Sequence, residues 1–340
     1  MRINVMTGTE TNRWQWLGPL LAVGMVVALA ACSGGEEKVT IGLITKQEAN
    51  PYWVTLREVA EDTAEDNAVN LLTATGWSDV DADSQKKALQ NMVAEGARGI
   101  LIAPANSTAL VPAIEAARKK GVVVIAVDTP VEPVDAVDAY YATDNEAAGR
   151  LVGEYAAAKA AELGLEPKIA MLDLAPGISS GAARHKGFLA GFGIEQSDTA
   201  LVAMADTEGN RELGEARMAE ILARHPDVNV VYTVNEPVAL GALVALKAAK
   251  VNLGKTILVS IDGGCQAIKN AVRPGDIDAT AMQFPENMAR EGVLALARAA
   301  RGGEPPSGYL NTGVELVTGD PAPGVESRNV AYGVRNCWGD

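Results

Sequence analysis

The sequence predicts an α/β protein made of two doubly wound domains, each built around an open parallel sheet. Short apolar runs of strand length alternate with longer segments of helical periodicity, which is typical of βαβ units. The runs are almost continuously apolar, as expected for parallel strands buried on both faces. Because the alternation occurs in two sets of similar length, we expect two domains joined by short hinge strands.

The first set of elements begins at residue 39. Asn50 and Pro51 suit the N-cap and first turn of a helix, and Tyr52 and Leu56 then fall one turn apart on a single apolar face. The strands predicted around this helix are 39–45, 69–74, 99–103 and 122–127.

The second set repeats this rhythm after residue 144. Leu240, Leu243 and Val244 mark the buried face of one of its helices. The predicted strands are 168–172, 201–205, 228–233, 256–261 and 278–282.

The N-terminal residues indicate export. Residues 1–31 combine a weakly basic start with a short apolar run, which predicts a secretory signal peptide rather than a membrane-spanning helix. The segment Leu29-Ala30-Ala31-Cys32 resembles a bacterial lipobox, in which the cysteine is acylated and becomes the new N-terminus. We therefore expect an extracytoplasmic lipoprotein held at a membrane through Cys32, with residues 32–38 as a tether. The alternative is an ordinary signal peptide that happens to contain a cysteine.

The charge of the chain excludes one class of partner. The sequence has 29 basic and 43 acidic residues, and its net charge is −14. Residues 1–31 contain two arginines and one glutamate, so the exported body carries −15. Nucleic-acid binding requires basic patches, so we expect no nucleic-acid partner.

Cysteine usage predicts one disulfide. Of the three cysteines, Cys32 is assigned to the lipid, which leaves Cys265 and Cys337 as an even pair in an oxidising compartment. The alternative is two unrelated buried thiols.

Polar and aromatic side chains follow the predicted strands at the edge where ligands bind in open parallel sheets. Glu236 follows one of these strands directly after an asparagine, and Gly263 and Gly264 follow another after an aspartate. The candidate site residues at these strand ends are Asn50, Tyr52, Trp53, Asp128, Arg184, Asn235, Asp262 and Gln283.

These residue types suit a neutral, polyhydroxylated ligand. Planar carboxylate, amide and guanidinium groups can bond two adjacent hydroxyls, while aromatic rings pack on the C–H faces of a sugar. Each residue also has a structural alternative: Asn50 as a cap only, Asp262 as part of a turn, and Tyr52 or Trp53 as core. Their shared position at strand ends favours a sugar site.

Several motifs carry a resemblance to a known family. The segments are Gly42-Leu43-Ile44-Thr45-Lys46 leading to Asn50-Pro51-Tyr52-Trp53, Val127-Asp128, Thr143-Asp144-Asn145, Arg184 to Gly187-Phe188, Val231 to Pro237, Val259 to Cys265, and the terminal Cys337-Trp338-Gly339. From about Val39 to its C-terminus, the chain resembles type I periplasmic sugar-binding proteins, the ribose-binding group of ABC-transporter receptors. Within that group it most resembles the fructose-binding receptor.

The resemblance implies a three-strand hinge, with crossings near Thr143, near 283–284 and near Gly313. It places one sugar-binding lobe at 39–143 plus 284–312 and the other at 144–283 plus 313–340. It also implies a monomer that closes on a monosaccharide, fructose first, and passes it to the permease and ATPase subunits of an ABC importer. The residues that match the family's ligand contacts are the eight candidates named above.

The sequence departs from ribose receptors at two positions. Thr129 stands where they carry an arginine, and no aromatic residue stands near Gly209, so we expect a more open wall there. We also expect Asp128 and Asp262 to face a single cation, Arg184, which leaves no surplus positive charge for a sugar phosphate or acid.

Enzyme signals are absent from the sequence. It has two histidines, no readable catalytic triad and no phosphate-binding loop, so we expect no catalytic activity and no cofactor. Asp79, Asp81 and Asp83 imitate the start of a calcium loop, but Ser84 replaces the required glycine. We therefore predict no metal site and assign these aspartates to a solvated loop and helix start. The alternative functions are a sugar sensor that acts on a receptor and, with less support, a secreted sugar-modifying enzyme.

Overall fold

The computed structural model describes residues 38–339 and confirms two α/β lobes, each with an open, doubly wound sheet. The predicted signal peptide, Cys32 and the tether up to residue 37 lie outside the described residues. Within the described range, no helix has both the length and the apolar character needed to cross a membrane.

Strands and helices alternate along most of the described chain. The strands are β1 (Val39–Thr45), β2 (Val69–Thr75), β3 (Gly99–Ile102), β4 (Val123–Val127), β5 (Ala139–Ala142), β6 (Ile169–Asp173), β7 (Leu201–Asp206), β8 (Val230–Thr233), β9 (Ile257–Asp262), β10 (Ala279–Met282), β11 (Gly308–Asn311), β12 (Glu315–Thr318) and β13 (Arg328–Asn329). The α-helices are α1 (Pro51–Asp66), α2 (Ala82–Ala94), α3 (Val111–Arg118), α4 (Asn145–Glu162), α5 (Ser179–Phe192), α6 (Arg211–Arg224), α7 (Glu236–Ala248), α8 (Cys265–Ala267), α9 (Pro285–Ala300) and α10 (Val330–Asn336). Short 3-10 turns span Val134–Ala136 and Leu253–Lys255, and a π-helical turn spans Ile268–Val272.

The first sheet has the strand order β11-β5-β4-β3-β1-β2 and is parallel throughout. The second has the order β13-β12-β10-β9-β8-β6-β7, and only its β10–β12 pair is antiparallel. We call the first sheet with α1, α2, α3 and α9 the first lobe. The second sheet with the remaining helices is the second lobe.

All nine strands predicted from apolar runs are present, with ends shifted by at most two residues. Four strands, β5, β11, β12 and β13, are not predicted by apolar runs. These strands have four residues or fewer, and β11 is exposed along its whole length, so it has no apolar run to reveal it.

The chain passes between the sheets at three places. It leaves the first sheet after Ala142 and enters α4, which packs on β9 and β10. It returns after Met282 through α9, which packs on β1 and β3, and it leaves again between Asn311 and Glu315.

The helix α1 begins as predicted and orients two site residues. The side chain of Asn50 accepts the backbone N–H of Tyr52 at 3.0 Å, which caps the helix, and Pro51 occupies its first turn. Tyr52 and Leu56 are buried on the face that packs against α9. The N-terminal turn of α1 is thereby held at the carboxyl end of the first sheet.

The C-terminal segment returns to the second lobe. In α10, Gly333 lies against Val317 and Ile268, so closely that a Cβ on this glycine would be 2.8 Å from Val317. The structure pairs Cys337 with Cys265, whose Cα atoms are 4.8 Å apart, within the range that a disulfide requires.

Candidate functional site

A pocket lies where the carboxyl ends of the two sheets face each other. Its volume is about 300 Å³ when the part that is open to solvent is included. Seven of the eight predicted residues line it, and Gln283 joins them by donating from Nε2 to Asp262 at 2.6 Å. All eight are buried, with exposed fractions from 1% for Gln283 to 5% for Asn50, Asp128 and Asn235.

Arg184 stands between the two pocket aspartates. Its Nη2 is 3.9 Å from Asp128 in the first lobe, and its Nη1 is 3.6 Å from Asp262 in the second. Two shorter hydrogen bonds fix the guanidinium, from Nε to Asn145 at 2.7 Å and from Nη1 to the carbonyl of Val234 at 2.9 Å. The arginine is therefore oriented by neutral partners, and its contacts with both carboxylates are longer than strong hydrogen bonds.

Both aspartates have an unusual backbone conformation. The φ angle is 62° at Asp128 and 112° at Asp262, in a region that residues with a side chain rarely adopt. Such strain concentrates at functional sites, where the surrounding structure holds it in place.

Burial alters the protonation of Asp262. It raises the pKa of this carboxyl to about 6, opposed by Arg184 and by the hydrogen bonds from Glu236 and Gln283. The backbone N–H of Glu236 donates to Asp262 at 3.2 Å, so each carboxylate oxygen of Asp262 accepts one bond within the protein.

Glu236, the other carboxylate that follows a strand, stabilises the turn next to the pocket. Its carboxylate accepts the backbone N–H groups of Gly264 at 2.5 Å and Ala267 at 3.1 Å, which holds the turn after Asp262. Burial, with the nearby Asp262, raises the pKa of Glu236 to about 7. Glu236 is therefore a structural partner of Asp262 and does not line the pocket itself.

Lys46 is a pocket residue that the sequence analysis missed. It is 2% exposed, and its Nζ lies 2.9 Å from the hydroxyl of Thr129, 3.5 Å from Asp128 and 5.2 Å from the centre of the Trp53 ring. The expectation that the aspartates face a single cation is thus wrong. Lys46 directly follows β1, so its strand-end position could have revealed it. It supplies a cation beside Asp128 and Thr129.

Asp79 is a second missed residue and corrects the prediction of a solvated loop. It is 4% exposed, accepts the indole N–H of Trp53 at 3.2 Å and lines the pocket, and burial raises the pKa of its carboxyl. Asp81 caps α2 by accepting the backbone N–H of Ser84, and Asp83 is exposed in the first turn of that helix. The predicted helix start is therefore correct for Asp81 and Asp83. Asp79 lies in the loop after β2, at the edge where the other site residues lie.

The wall near Gly209 is closed rather than open. A Cβ on Gly209 would lie 2.6 Å from Asp79 Oδ2 and 2.9 Å from Leu174, and the φ angle of this glycine is 69°. Asp79 and Leu174 thus occupy the side where the absence of an aromatic residue predicted free space.

The lobes touch each other around the pocket. Ser107 of the first lobe donates its backbone N–H to Gly177 of the second at 2.9 Å. The hydroxyls of Thr129 and Ser180, also from opposite lobes, are 2.8 Å apart. The pocket is therefore enclosed by contributions from both lobes.

Comparison with known proteins gives consistent matches. A family model described as "Periplasmic binding protein domain" matches residues 41–304. The D-ribose/D-allose-binding protein of Pseudomonas aeruginosa is 29% identical over 313 residues, which covers 86% of this chain and 96% of that protein. The ribose import binding protein of Bacillus subtilis is 30% identical over 255 residues, which covers 75% of this chain and 79% of that protein. A carbohydrate transporter solute binding protein from Agrobacterium radiobacter, solved in complex with D-arabinose, superposes with a TM-score of 0.76 at 25% identity. The superposition covers 83% of this chain and 95% of that protein.

Proposed function

The chain belongs to the periplasmic binding protein family, and from this premise we propose that it captures a neutral monosaccharide outside the cytoplasm and delivers it to an ABC-type importer. The observation that carries the proposal is the arrangement of Asp128, Arg184 and Asp262. These residues form a row of acceptors and donors across the cleft, with Tyr52 and Trp53 beside it. The names of the relatives that bind ribose and allose, and the arabinose complex, support a sugar ligand.

The charges in the pocket favour a neutral ligand. Lys46 and Arg184 face three carboxylates, those of Asp79, Asp128 and Asp262. Because the pocket has no surplus positive charge, a sugar phosphate or sugar acid would bring its own negative charge without a partner. A neutral polyol instead offers hydroxyls that donate to the carboxylates and accept from the two cations.

Gln283, which bonds to the pocket residue Asp262, has one polar atom without a partner in the described part of the chain. Its Nε2 is used by Asp262, whereas its buried Oε1 has no hydrogen-bond partner among residues 38–339. A buried acceptor of this kind is costly unless it is satisfied, and a sugar hydroxyl would satisfy it.

Fructose is our first candidate sugar, with other ketoses, ribose and mannose after it. The sequence motifs that resemble those of the fructose-binding receptor support this order. The relatives named for ribose and allose make these two sugars the necessary comparison.

Closure of the lobes around the sugar is the proposed mechanism. The segments near Thr143, 283–284 and Gly313 would form the hinge between lobes at 39–143 plus 284–312 and 144–283 plus 313–340. Since the ligand residues come from both lobes, a bound sugar would favour the closed state, which a permease could then recognise. We further propose that the protein is a monomer and that it is anchored by acylation of Cys32 after removal of residues 1–31.

A thermal-shift panel of the exported protein tests the ligand class. The panel contains fructose, ribose, allose, mannose, their phosphates and acids, nucleosides and amino acids. We expect the neutral monosaccharides to raise the melting temperature, because a ligand that binds only the folded state stabilises it. A response to nucleosides or amino acids with none to sugars would overturn the proposal and leave the fold unaffected.

A further inference from the structure

The C-terminal tail places one aromatic side chain in the core of the opposite lobe. Trp338 is 4% exposed and belongs to the buried apolar cluster between the first sheet and helices α1 and α9. Every other buried member of that cluster within the described residues comes from 41–141 or 288–297. Trp338 therefore packs on the first lobe although it follows α10 of the second.

The Trp338 indole contacts segments that carry pocket residues. Its ring centre lies 5.2 Å from that of Tyr52, with an edge-to-face angle of 81°. Its Nε1–H donates to the backbone carbonyl of Gln283 at 3.1 Å. A Cβ on Gly264 would lie 2.9 Å from the ring, so the turn after Asp262 also approaches it closely.

The same tail is fastened to the second lobe. The backbone carbonyl of Trp338 accepts the N–H of Cys265 at 2.8 Å, and the preceding Cys337 pairs with that same cysteine. Beyond it, a Cβ on Gly339 would lie 2.7 Å from the side chain of Pro51 in the first turn of α1. The tail thus starts from the second lobe and covers the turn of the first lobe that holds Tyr52.

We propose that Trp338 is a positioning residue for the ligand site. It holds the ring of Tyr52 in its pocket-facing pose and, through Cys265 and Cys337, ties the first lobe to the second in the closed arrangement. The effect on sugar affinity rests on the function proposed above, whereas the tie between the lobes does not. A Trp338 that only fills the core would change stability and leave both affinity and closure unaltered.

The test compares Trp338→Ala and Trp338→Phe with a matched control, Trp77→Ala. Trp77 is a tryptophan of the first lobe that is 89% exposed. For each full-length protein we would measure the radius of gyration without sugar and the Kd for fructose, ribose and allose. Since an aromatic pair contributes a modest energy beyond its burial, we expect Trp338→Ala to weaken binding about two- to tenfold and to enlarge the sugar-free protein. The Kd and radius of gyration of Trp338→Phe should lie between those of Trp338→Ala and the unaltered protein. Those of Trp77→Ala should match the unaltered protein.

Reduction of the disulfide gives an independent readout. It should weaken sugar binding in the unaltered protein and add little in the Trp338→Ala variant, because both changes remove the same tie. A folded Trp338→Ala variant that matches Trp77→Ala in radius and Kd would overturn the proposal. If Trp338→Ala does not fold, the same comparison with Trp338→Phe decides. If no sugar binds the unaltered protein, the proposed function fails, and the radius alone then decides whether Trp338 ties the lobes.

Discussion

Asp128 of the first lobe and Arg184 of the second lie 3.9 Å apart across the pocket, and both are about 5% exposed. Each side chain faces a partner on the other lobe. A sugar hydroxyl at one side of this pair could accept from Arg184 and donate to Asp128. Ligand binding and closure are therefore expected to be coupled through these two residues.

Removal of the second pocket carboxylate should weaken sugar binding strongly. In Asp262→Ala, the sugar hydroxyls, Arg184 and Gln283 lose an acceptor, at a cost of about 1–3 kcal/mol for each buried group left unpaired. We expect the Kd to rise about ten- to a hundredfold by calorimetry. The control is Asp83→Ala, which removes a carboxylate whose side chain is 84% exposed, and it should bind normally. Equal affinity of the two variants would remove Asp262 from the site.

Lys46→Met tests the cation that the sequence analysis missed. The substitution keeps most of the side-chain volume and leaves Asp128 and Thr129 without their ammonium partner, so we expect about tenfold weaker binding. Lys119→Met, at a lysine whose side chain is 78% exposed, should have no effect in the same titration. Unchanged binding in Lys46→Met would show that Arg184 alone balances the pocket carboxylates.

Stability and affinity should respond to pH in opposite directions. Burial raises the pKa of Asp262 from 3.8 to about 6 and that of Glu236 from 4.5 to about 7. At a pH between the unfolded and the folded pKa of each group, the folded protein binds more protons than the unfolded chain. The stability that these groups contribute at low pH is therefore lost as the pH rises through their folded pKa values. Burial raises the pKa of Asp79 and Asp278 as well, with the same sign. Sugar binding uses the charged form of Asp262 and should weaken as pH falls below about 6.

Denaturant unfolding and calorimetry at pH 5 and pH 8 separate the two effects. We expect the sugar-free protein to be more stable at the lower pH and its Kd for sugar to be higher there. Glu236→Gln should reduce the pH dependence of stability. A free energy of unfolding that increases steadily from pH 5 to pH 8 would contradict the assignment of these buried carboxyls.

The predicted disulfide should contribute substantially to stability. The pairing of Cys265 with Cys337 spans 72 residues, which corresponds to about 4 kcal/mol in the chain-entropy model, less any strain. We expect reduction to lower the free energy of unfolding by an amount of this order, and to have no further effect on the Cys265→Ser, Cys337→Ser double variant. Detection of both thiols as free in the exported protein would refute the pairing.

Much of the fold could be predicted because its signals are local. The cap at Asn50 and the apolar face from Tyr52 to Leu56 define α1 within a few residues, and the long buried strands are read directly from apolar runs. The strands β5 and β11 were missed because they are short, and β11 lies exposed at the edge of the sheet.

The pocket was harder to predict because its neighbours are distant in sequence. Asp79 belongs to a group of three closely spaced aspartates, a pattern typical of a solvent-exposed loop. Only the fold places this residue against Trp53 and Gly209. Lys46 has an ordinary surface residue type, and its burial depends on Thr129 in another loop. Strand-end position indicated the region of the site, whereas the balance of its charges required the structure.

Small-angle scattering with and without sugar tests the central claim most directly. The full-length protein is measured alone and at saturation with whichever of fructose, ribose and allose stabilises it most, with saturation verified by calorimetry. If the two lobes close on a sugar bound between Asp128 and Asp262, the radius of gyration should decrease on binding, and Asp262→Ala should require more sugar for the same decrease. A radius that stays unchanged at verified saturation would contradict capture by closure of the lobes.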